Sequence, residues 1–555
     1  MKKLIAASLS TLLTTATLPT PGFASGGQEP TATPIKHLVV IFQENVSFDH
    51  YFATYPNALN PKGEPRFIAK PDTPSVNGLT GTLLTANPNA SNSANKNGAT
   101  NPFRLDRSQA FTADQDHDYT PEQAAFDFGL MDAFPLSVGT AGPPPTSGPN
   151  SNITSTQGLT MGYYDGNTVT AYWNYAQRYA LNDNSYDTNF GPSTDGAVNL
   201  ISGQLNGVTE DNNPGGATID DGNGGLTLIS DADPAGDVCS TTTGETVRFG
   251  GKNIGDLLNA RGISWGFFSG GFNLSTVNAP NKSTGCKRNS TSSITGANKA
   301  DYVPHHQPFQ YYTSTANLNH TRPASVHTIG EQGDPANHQY DLQDFYDAVS
   351  AGNFPAVSYL KAIGIQDGHA GYSSPLDEQT FVVNVINFLQ KSPEWNSTAV
   401  IIAYDDSDGW YDHQLGQIVN QSTSAADMVS GKPSCGNGTE TALAGINTAH
   451  AQGRCGYGPR LPLLVISPWA KSNFVDHTMT DQTSILRFVE DNWLGGERIG
   501  QGSFDAIANP LTNLFDFARR ESNAGPYILD PNTGLVLSNG QGFGGGFGGG
   551  EGHGW

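Results

Sequence analysis

Leu38-Val39-Val40-Ile41-Phe42 is an uninterrupted apolar run that breaks abruptly into Gln43-Glu44-Asn45-Val46-Ser47-Phe48-Asp49-His50. Apolar residues at every position, rather than at every second one, describe a strand covered on both faces by other elements. Four more runs of this size occur at residues 263–268, 355–360, 399–404 and 463–466, and only the second of these alternates. Within residues 378–389, Phe381, Val382, Val385, Ile386 and Leu389 recur at three- and four-residue steps, which places them on one helical face. Ile485, Leu486, Phe488, Val489 and Trp493 form a second such stripe. Strand, helix, strand order predicts parallel strands joined by crossovers, hence an α/β fold with helices on both sides of the sheet. Both helical stripes are read as core.

The chain has 555 residues, with 28 Lys and Arg against 51 Asp and Glu, a formal net charge of −23. Nucleic-acid and anionic-membrane binders need a basic face to displace counterions, so these classes are excluded and any anionic substrate must be held by local positive charge. The 65 Gly and 35 Pro imply long loops, while 27 Phe, 20 Tyr and 7 Trp supply the bulk for a core.

Lys2 and Lys3 precede an apolar run at 4–18, and Gly22-Phe23-Ala24 stands before Ser25. This is the layout of a signal peptide over residues 1–24, predicting a periplasmic or secreted protein. No other stretch reaches the roughly 18 apolar residues of a spanning helix, so no integral membrane association is expected. Four cysteines allow three pairings, of which chain order favours Cys239 with Cys286 and Cys435 with Cys455. The expected organisation is a catalytic domain over 25–537, with insertions at about 70–101, 205–250 and 418–458. A Gly-rich disordered tail follows over 538–555.

In open α/β sheets, ligands bind where strands end at their carboxyl edge. Two strand ends are loaded with acids and amides: Glu44-Asn45 after the first, Asp405-Asp406-Ser407-Asp408-Gly409 after the fourth. If those strands lie close together, Glu44, Asn45, Asp405 and Asp406 meet, and crowded carboxylates call for a cation with oxygen ligands. The acidic string also suits an ordinary capping turn. Histidines flanked by acids or by each other add to the pattern: His117 between Asp116 and Asp118, adjacent His305 and His306, His369 after Asp367-Gly368, and His413 after Asp412. The chain contains no His-Glu-x-x-His and no P-loop, and Gly191-Pro192-Ser193-Thr194-Asp195-Gly196 comes near the Gly-x-Ser-x-Gly elbow without matching it. Ser193 reads either as a helix cap or as a nucleophile, since helix N-terminal amides can hold a phosphate and a metal ion can make its alkoxide accessible.

The string from Ile35 to Asn45, with Ser47-Phe48-Asp49-His50-Tyr51-Phe52, resembles the opening signature of the bacterial phosphoesterase family of phosphatidylcholine-type phospholipases C and secreted acid phosphatases. The resemblance continues through Gly191-Pro192-Ser193, His369, Tyr404-Asp405-Asp406, Asp412-His413 and residues 462–493. It implies an alkaline phosphatase-like α/β/α sandwich with a largely parallel central sheet and loop-rich insertions. It further implies one divalent metal ion held by Glu44, Asn45, Asp405, Asp406 and Ser193. Ser193 would be the nucleophile, and His117, His305, His306 and His369 would bind the phosphoryl oxygens or protonate the leaving alcohol. Many phospholipase members have Arg after the Glu-Asn pair and Thr as nucleophile. Val46 and Ser193 stand there in this chain, nearer to the acid phosphatases, and the extra C-terminal β domains common in haemolytic phospholipases are not expected.

The expected function is hydrolysis of small phosphate monoesters through a phosphoserine, favoured at mildly acidic pH because protonated histidine binds phosphate better. The alternative is a phospholipase C acting on a phospholipid head group, with Trp265-Gly266-Phe267-Phe268 either admitting lipid or forming a core strand. A further alternative is a non-catalytic exported calcium-binding protein. It rests on acidity and the Asp231-Ala232-Asp233 loop, which carries Thr242 where an EF-hand has Glu.

Overall fold

The computed structural model describes residues 31–139, 141–142, 145–212, 215–221, 224–437, 455–519 and 525–538. The predicted signal peptide, most of the glycine-rich tail and part of the 418–458 insertion lie outside the described residues.

Eight strands form one sheet: β1 (His37–Gln43), β2 (Ala180–Asn182), β3 (Trp265–Ser269), β4 (Gln339–Asp341), β5 (Val357–Lys361), β6 (Thr398–Tyr404), β7 (Leu463–Ile466) and β8 (Phe474–Asp476). Their order across the sheet is β4-β3-β5-β1-β6-β7-β2-β8. All five predicted apolar runs are strands of this sheet, and β1, β3, β5, β6 and β7 are buried throughout. Trp265-Gly266-Phe267-Phe268 is therefore core. The pairings from β4 through β6 are parallel, as expected. β7 departs from the parallel expectation, running antiparallel to both β6 and β2. Apolar run composition reports burial and is blind to strand direction. The three-residue strands β2, β4 and β8, of which β4 and β8 are the sheet's edges, were not predicted; each closes on Asn or Asp.

The principal helices are α1 (Tyr119–Phe126), α2 (Thr170–Arg178), α3 (Ser193–Ser202), α4 (Leu342–Ser350), α5 (Pro375–Leu389) and α6 (Thr483–Trp493). The two predicted stripes are α5 and α6, with every stripe residue buried. Neighbouring strand residues point to opposite faces. Phe267 and Tyr359 meet Phe309 on one face, whereas Phe268 meets Phe345 of α4 on the other. α3 packs on the Phe309 turn and on α6, and α2 packs on α5, so the sheet is the middle layer of an α/β/α sandwich.

Both favoured disulfides are formed, Cys239–Cys286 and Cys435–Cys455. The 205–250 region holds small satellite sheets, including Val208–Asn212 paired with Thr246–Phe249. Among the described residues no helix is long and apolar enough to cross a membrane.

Candidate active site

Central strands β1 and β6 are in parallel register from His37↔Thr398 to Gln43↔Tyr404. The next residues on each, Glu44 and Asp405, therefore emerge side by side at the carboxyl edge. Asp405 Oδ1 accepts from the backbone N–H of Asn45 (2.9 Å) and of Asp406 (2.8 Å), stitching the two loops together. Asn45 has φ 59°, an uncommon conformation for a residue with a side chain, held here by these bonds.

Ser193 is the first residue of α3, entered through Gly191-Pro192. Gly191 has φ 129°, and a Cβ there would lie 2.1 Å from Asp195 Oδ2, so the turn needs glycine. Ser193 Oγ lies 3.0 Å from Glu44 Oε2, 3.1 Å from Asp406 Oδ2 and 3.4 Å from Asn45 Oδ1. One hydroxyl proton can serve only one of three acceptors. Asp405 Oδ2 is buried without any hydrogen-bond donor. Burial and the neighbouring Glu44 drive Asp405 well above the carboxylate range. Asp406 is pushed up to about 7 by burial first, with His117 pulling it down and Glu44 adding to the rise. Buried oxygens short of positive charge are the donor set of a hard divalent cation, and Glu44, Asn45, Asp405, Asp406 and Ser193 fit one.

The four histidines gather around this cradle. His117 Nδ1 bonds Gln115 O at 2.8 Å, its Nε2 lies 3.2 Å from Asn45 Nδ2, and its ring stands edge-on to His369, 5.7 Å between centroids. His306 Nδ1 is 3.2 Å from Glu44 Oε1. His305 faces Asp233 at 3.4 Å and stands edge-on to His306. His369 stacks on Tyr372 at 4.5 Å. Their electrostatics split them into two pairs. Burial pulls His117 down, but Asp406, Asp114 and Asp408 outweigh it and raise its pKa well above the ordinary value. His305 is likewise depressed by burial and raised overall by Asp231 and Asp233. Burial wins at His306 and His369, which are lowered despite Glu44 and, for His369, Asp114. Two imidazoles are thus disposed to be cationic and two neutral, rather than all four titrating together.

Sequence reasoning missed Lys361, Asp367, Lys299 and Tyr372. Lys361 ends β5, the strand on the other side of β1, and its Nζ pairs with Glu44 Oε1. Asp367 Oδ2 lies 3.9 Å from His306 Nδ1 and accepts from Tyr372 O–H at 3.2 Å. Lys299 Nζ sits 3.8 Å above the Tyr372 ring. Lys361 was legible by the rule that found Glu44 and Asp405, a polar residue closing an apolar strand.

The acid loops are braced from behind. Arg460 is wholly buried, with Nη2 3.1 Å from both Asp49 Oδ1 and Asp412 Oδ2, and His413 Nδ1 is 2.6 Å from Asp49 Oδ2. Asp412 and His413 therefore belong to a clamp between the β1 and β6 loops. Asp231 accepts from Thr194 N–H (3.0 Å) and Oγ1 (2.7 Å), so the acidic loop anchors the start of α3.

The sequence pattern of the Phosphoesterase family matches residues 35–494, a span that contains every residue of this cradle. The chain belongs to that family. Within the family it is 30% identical over 183 residues to a non-hemolytic phospholipase C of Pseudomonas aeruginosa, covering 33% of this chain and 26% of that protein. A non-hemolytic phospholipase C of Burkholderia pseudomallei is 23% identical over 88% of this chain and 60% of its own length. Phospholipase C A of Mycobacterium tuberculosis is 22% identical over 91% of this chain and 81% of its own. The chain thus spans less than two thirds of the first two relatives. Among solved structures, a protein in the alkaline phosphatase superfamily from Vibrio parahaemolyticus aligns at 13% identity with a TM-score of 0.26, over 65% of this chain and 67% of that one.

Proposed function

We propose that the protein hydrolyses phosphate esters, with Ser193 as nucleophile and small monoesters as the substrate class. The observation that carries this reading is the single hydroxyl of Ser193 within 3.4 Å of Glu44, Asn45 and Asp406 oxygens at the mouth of α3. A divalent ion bound by Glu44, Asn45, Asp405, Asp406 and Ser193 would make that hydroxyl easier to deprotonate and offset charge on the phosphoryl oxygens.

The Ser193 proton passes to Asp406, whose Oδ2 already lies 3.1 Å from Oγ. Oγ bonds to phosphorus as the bond to the alcohol oxygen breaks, and the departing oxygen takes a proton from His117 or His305. Water then attacks the phosphoserine, giving a proton to the imidazole that protonated the alcohol, while Ser193 Oγ leaves with the proton held by Asp406, restoring the serine and releasing phosphate. His117, His305 and Lys299 supply positive charge in a protein of net charge −23, which suits a doubly charged monoester. The names of the relatives favour a second reading, a phospholipase C that releases a phosphorylated head group. The two disulfides support an exported protein.

The test offers p-nitrophenyl phosphate and phosphatidylcholine to the wild type and Ser193→Ala, measuring inorganic phosphate and phosphocholine. Monoester turnover that vanishes in Ser193→Ala while its circular dichroism is unchanged supports the proposal. Phosphocholine release without monoester turnover supports the second reading. A Ser193→Ala variant keeping more than a few per cent of activity rejects the nucleophile.

A further inference from the structure

We propose that Lys361 is a built-in cation seated where a second metal ion would otherwise share Glu44, and that it limits the active site to one divalent ion. The inference rests on reading the Ser193 cradle as a metal site and assigns what lies on its other side.

The two oxygens of Glu44 face different compartments. Oε2 faces Ser193, whereas Oε1 faces Lys361 Nζ and His306 Nδ1. On that second side Glu44, His306 and Asp367 each offer a ligand atom, and these atoms all lie within 4.8 Å of one another. All three residues are buried. Asp405 completes the wall, because its otherwise unpartnered Oδ2 stands 3.7 Å from Lys361 Nζ. Three carboxylates and an imidazole nitrogen are a ligand set suited to a divalent ion, and Glu44 would bridge it to the first, as carboxylates do in two-metal sites.

The ammonium of Lys361 stands on this side of Glu44, paired with Oε1 and 3.7 Å from Asp405 Oδ2. β5 lies beside β1 in parallel register, Ile41↔Leu360, so Lys361 ends its strand level with the end of β1. Its side chain is 2% exposed, and Nζ passes 5.1 Å from the centre of the Phe42 ring. An ammonium has three donors and one charge, enough to satisfy Glu44 and face Asp405 while repelling a dication from the same oxygens.

The experiment loads metal-free wild type, Lys361→Ala and Lys361→Gln with Mn2+ alone, then reads bound metal per chain by elemental analysis and spin coupling by electron paramagnetic resonance. Circular dichroism checks folding, and Lys361→Gln, which keeps much of the stem, carries the test if Lys361→Ala does not fold. The expected result is one uncoupled Mn2+ in the wild type and two spin-coupled Mn2+ in the variants. Two ions in the wild type, or one ion in both with unchanged affinity, overturns the assignment of Lys361 alone. A second ion in the variants without spin coupling also overturns it, since it would not share Glu44. No ion in the wild type overturns the metal reading of the cradle, and this inference with it.

Discussion

The carbonyl oxygen of Asp405 fills the space a side chain would need at Gly196: a Cβ there would lie 2.0 Å from it. The first turn of α3 therefore rests directly on the backbone that ends β6, and this contact brings Ser193 to Asp406.

Replacing Gly196 with Ala forces the helix and strand end apart, because backbone rather than a flexible side chain is in the way. Overpacking of this kind costs about 1–3 kcal/mol, and a displacement near 1 Å at a reacting group costs on the order of a hundredfold in rate. Gly196→Ala is expected to stay folded by circular dichroism, melt several degrees lower, and lose about a hundredfold in kcat on p-nitrophenyl phosphate.

The Arg460 clamp makes a separate prediction about stability. Arg460→Met takes the guanidinium from buried Asp49 and Asp412 and leaves only His413 on Asp49, a loss of about 3–5 kcal/mol for a broken buried pair. Chemical denaturation should show a loss of this size. Arg460→Lys should recover only part of it, since one ammonium cannot also reach the carbonyls of Asn77 and Asp183 that Nη1 bonds at 2.7 and 2.9 Å.

Glu490 on α6 gives a pH dependence remote from the active site. Burial first, then the adjacent Asp505, push its pKa up to about 10 against the opposing pull of Arg498, whose Nη1 lies 3.1 Å from Glu490 Oε2. The backbone N–H of Ile499 is shared between the two acids, at 3.2 Å from Glu490 Oε1 and 2.8 Å from Asp505 Oδ2. In the unfolded chain Glu490 loses its proton near pH ~4.3, so above that the native state binds more protons than the unfolded one. Its contribution is complete below that value and is lost as pH rises toward 10. Glu490→Gln mimics the protonated acid. Its melting temperature should fall less steeply than the wild type's between about pH 5 and about pH 9, as read by differential scanning calorimetry.

How much of this was visible in the sequence depends on the kind of signal. β1, β6, α5 and α6 were legible because burial imposes a period or an unbroken run on apolar residues. The direction of β7 and the strands β2, β4 and β8 left no such mark, since three residues are too few to show an apolar run or a period and pairing direction does not alter composition. In the site, Glu44, Asn45, Asp405 and Asp406 were found from strand ends, and the four histidines and Ser193 gained their roles through family resemblance. Lys361 was open to the same strand-end rule, whereas Asp367 and Lys299 escaped because a single aspartate or lysine outside an apolar run looks like a solvated surface charge until the fold buries it.

The account turns on Ser193 being the atom that takes the phosphoryl group. Rapid acid quenching of the wild type during turnover of p-nitrophenyl phosphate, followed by peptide mass spectrometry, measures this directly. The predicted result is a phosphate on the peptide containing Ser193, absent from the Ser193→Ala protein. Phosphate carried by one of the histidines instead, or turnover undiminished in Ser193→Ala, would contradict it.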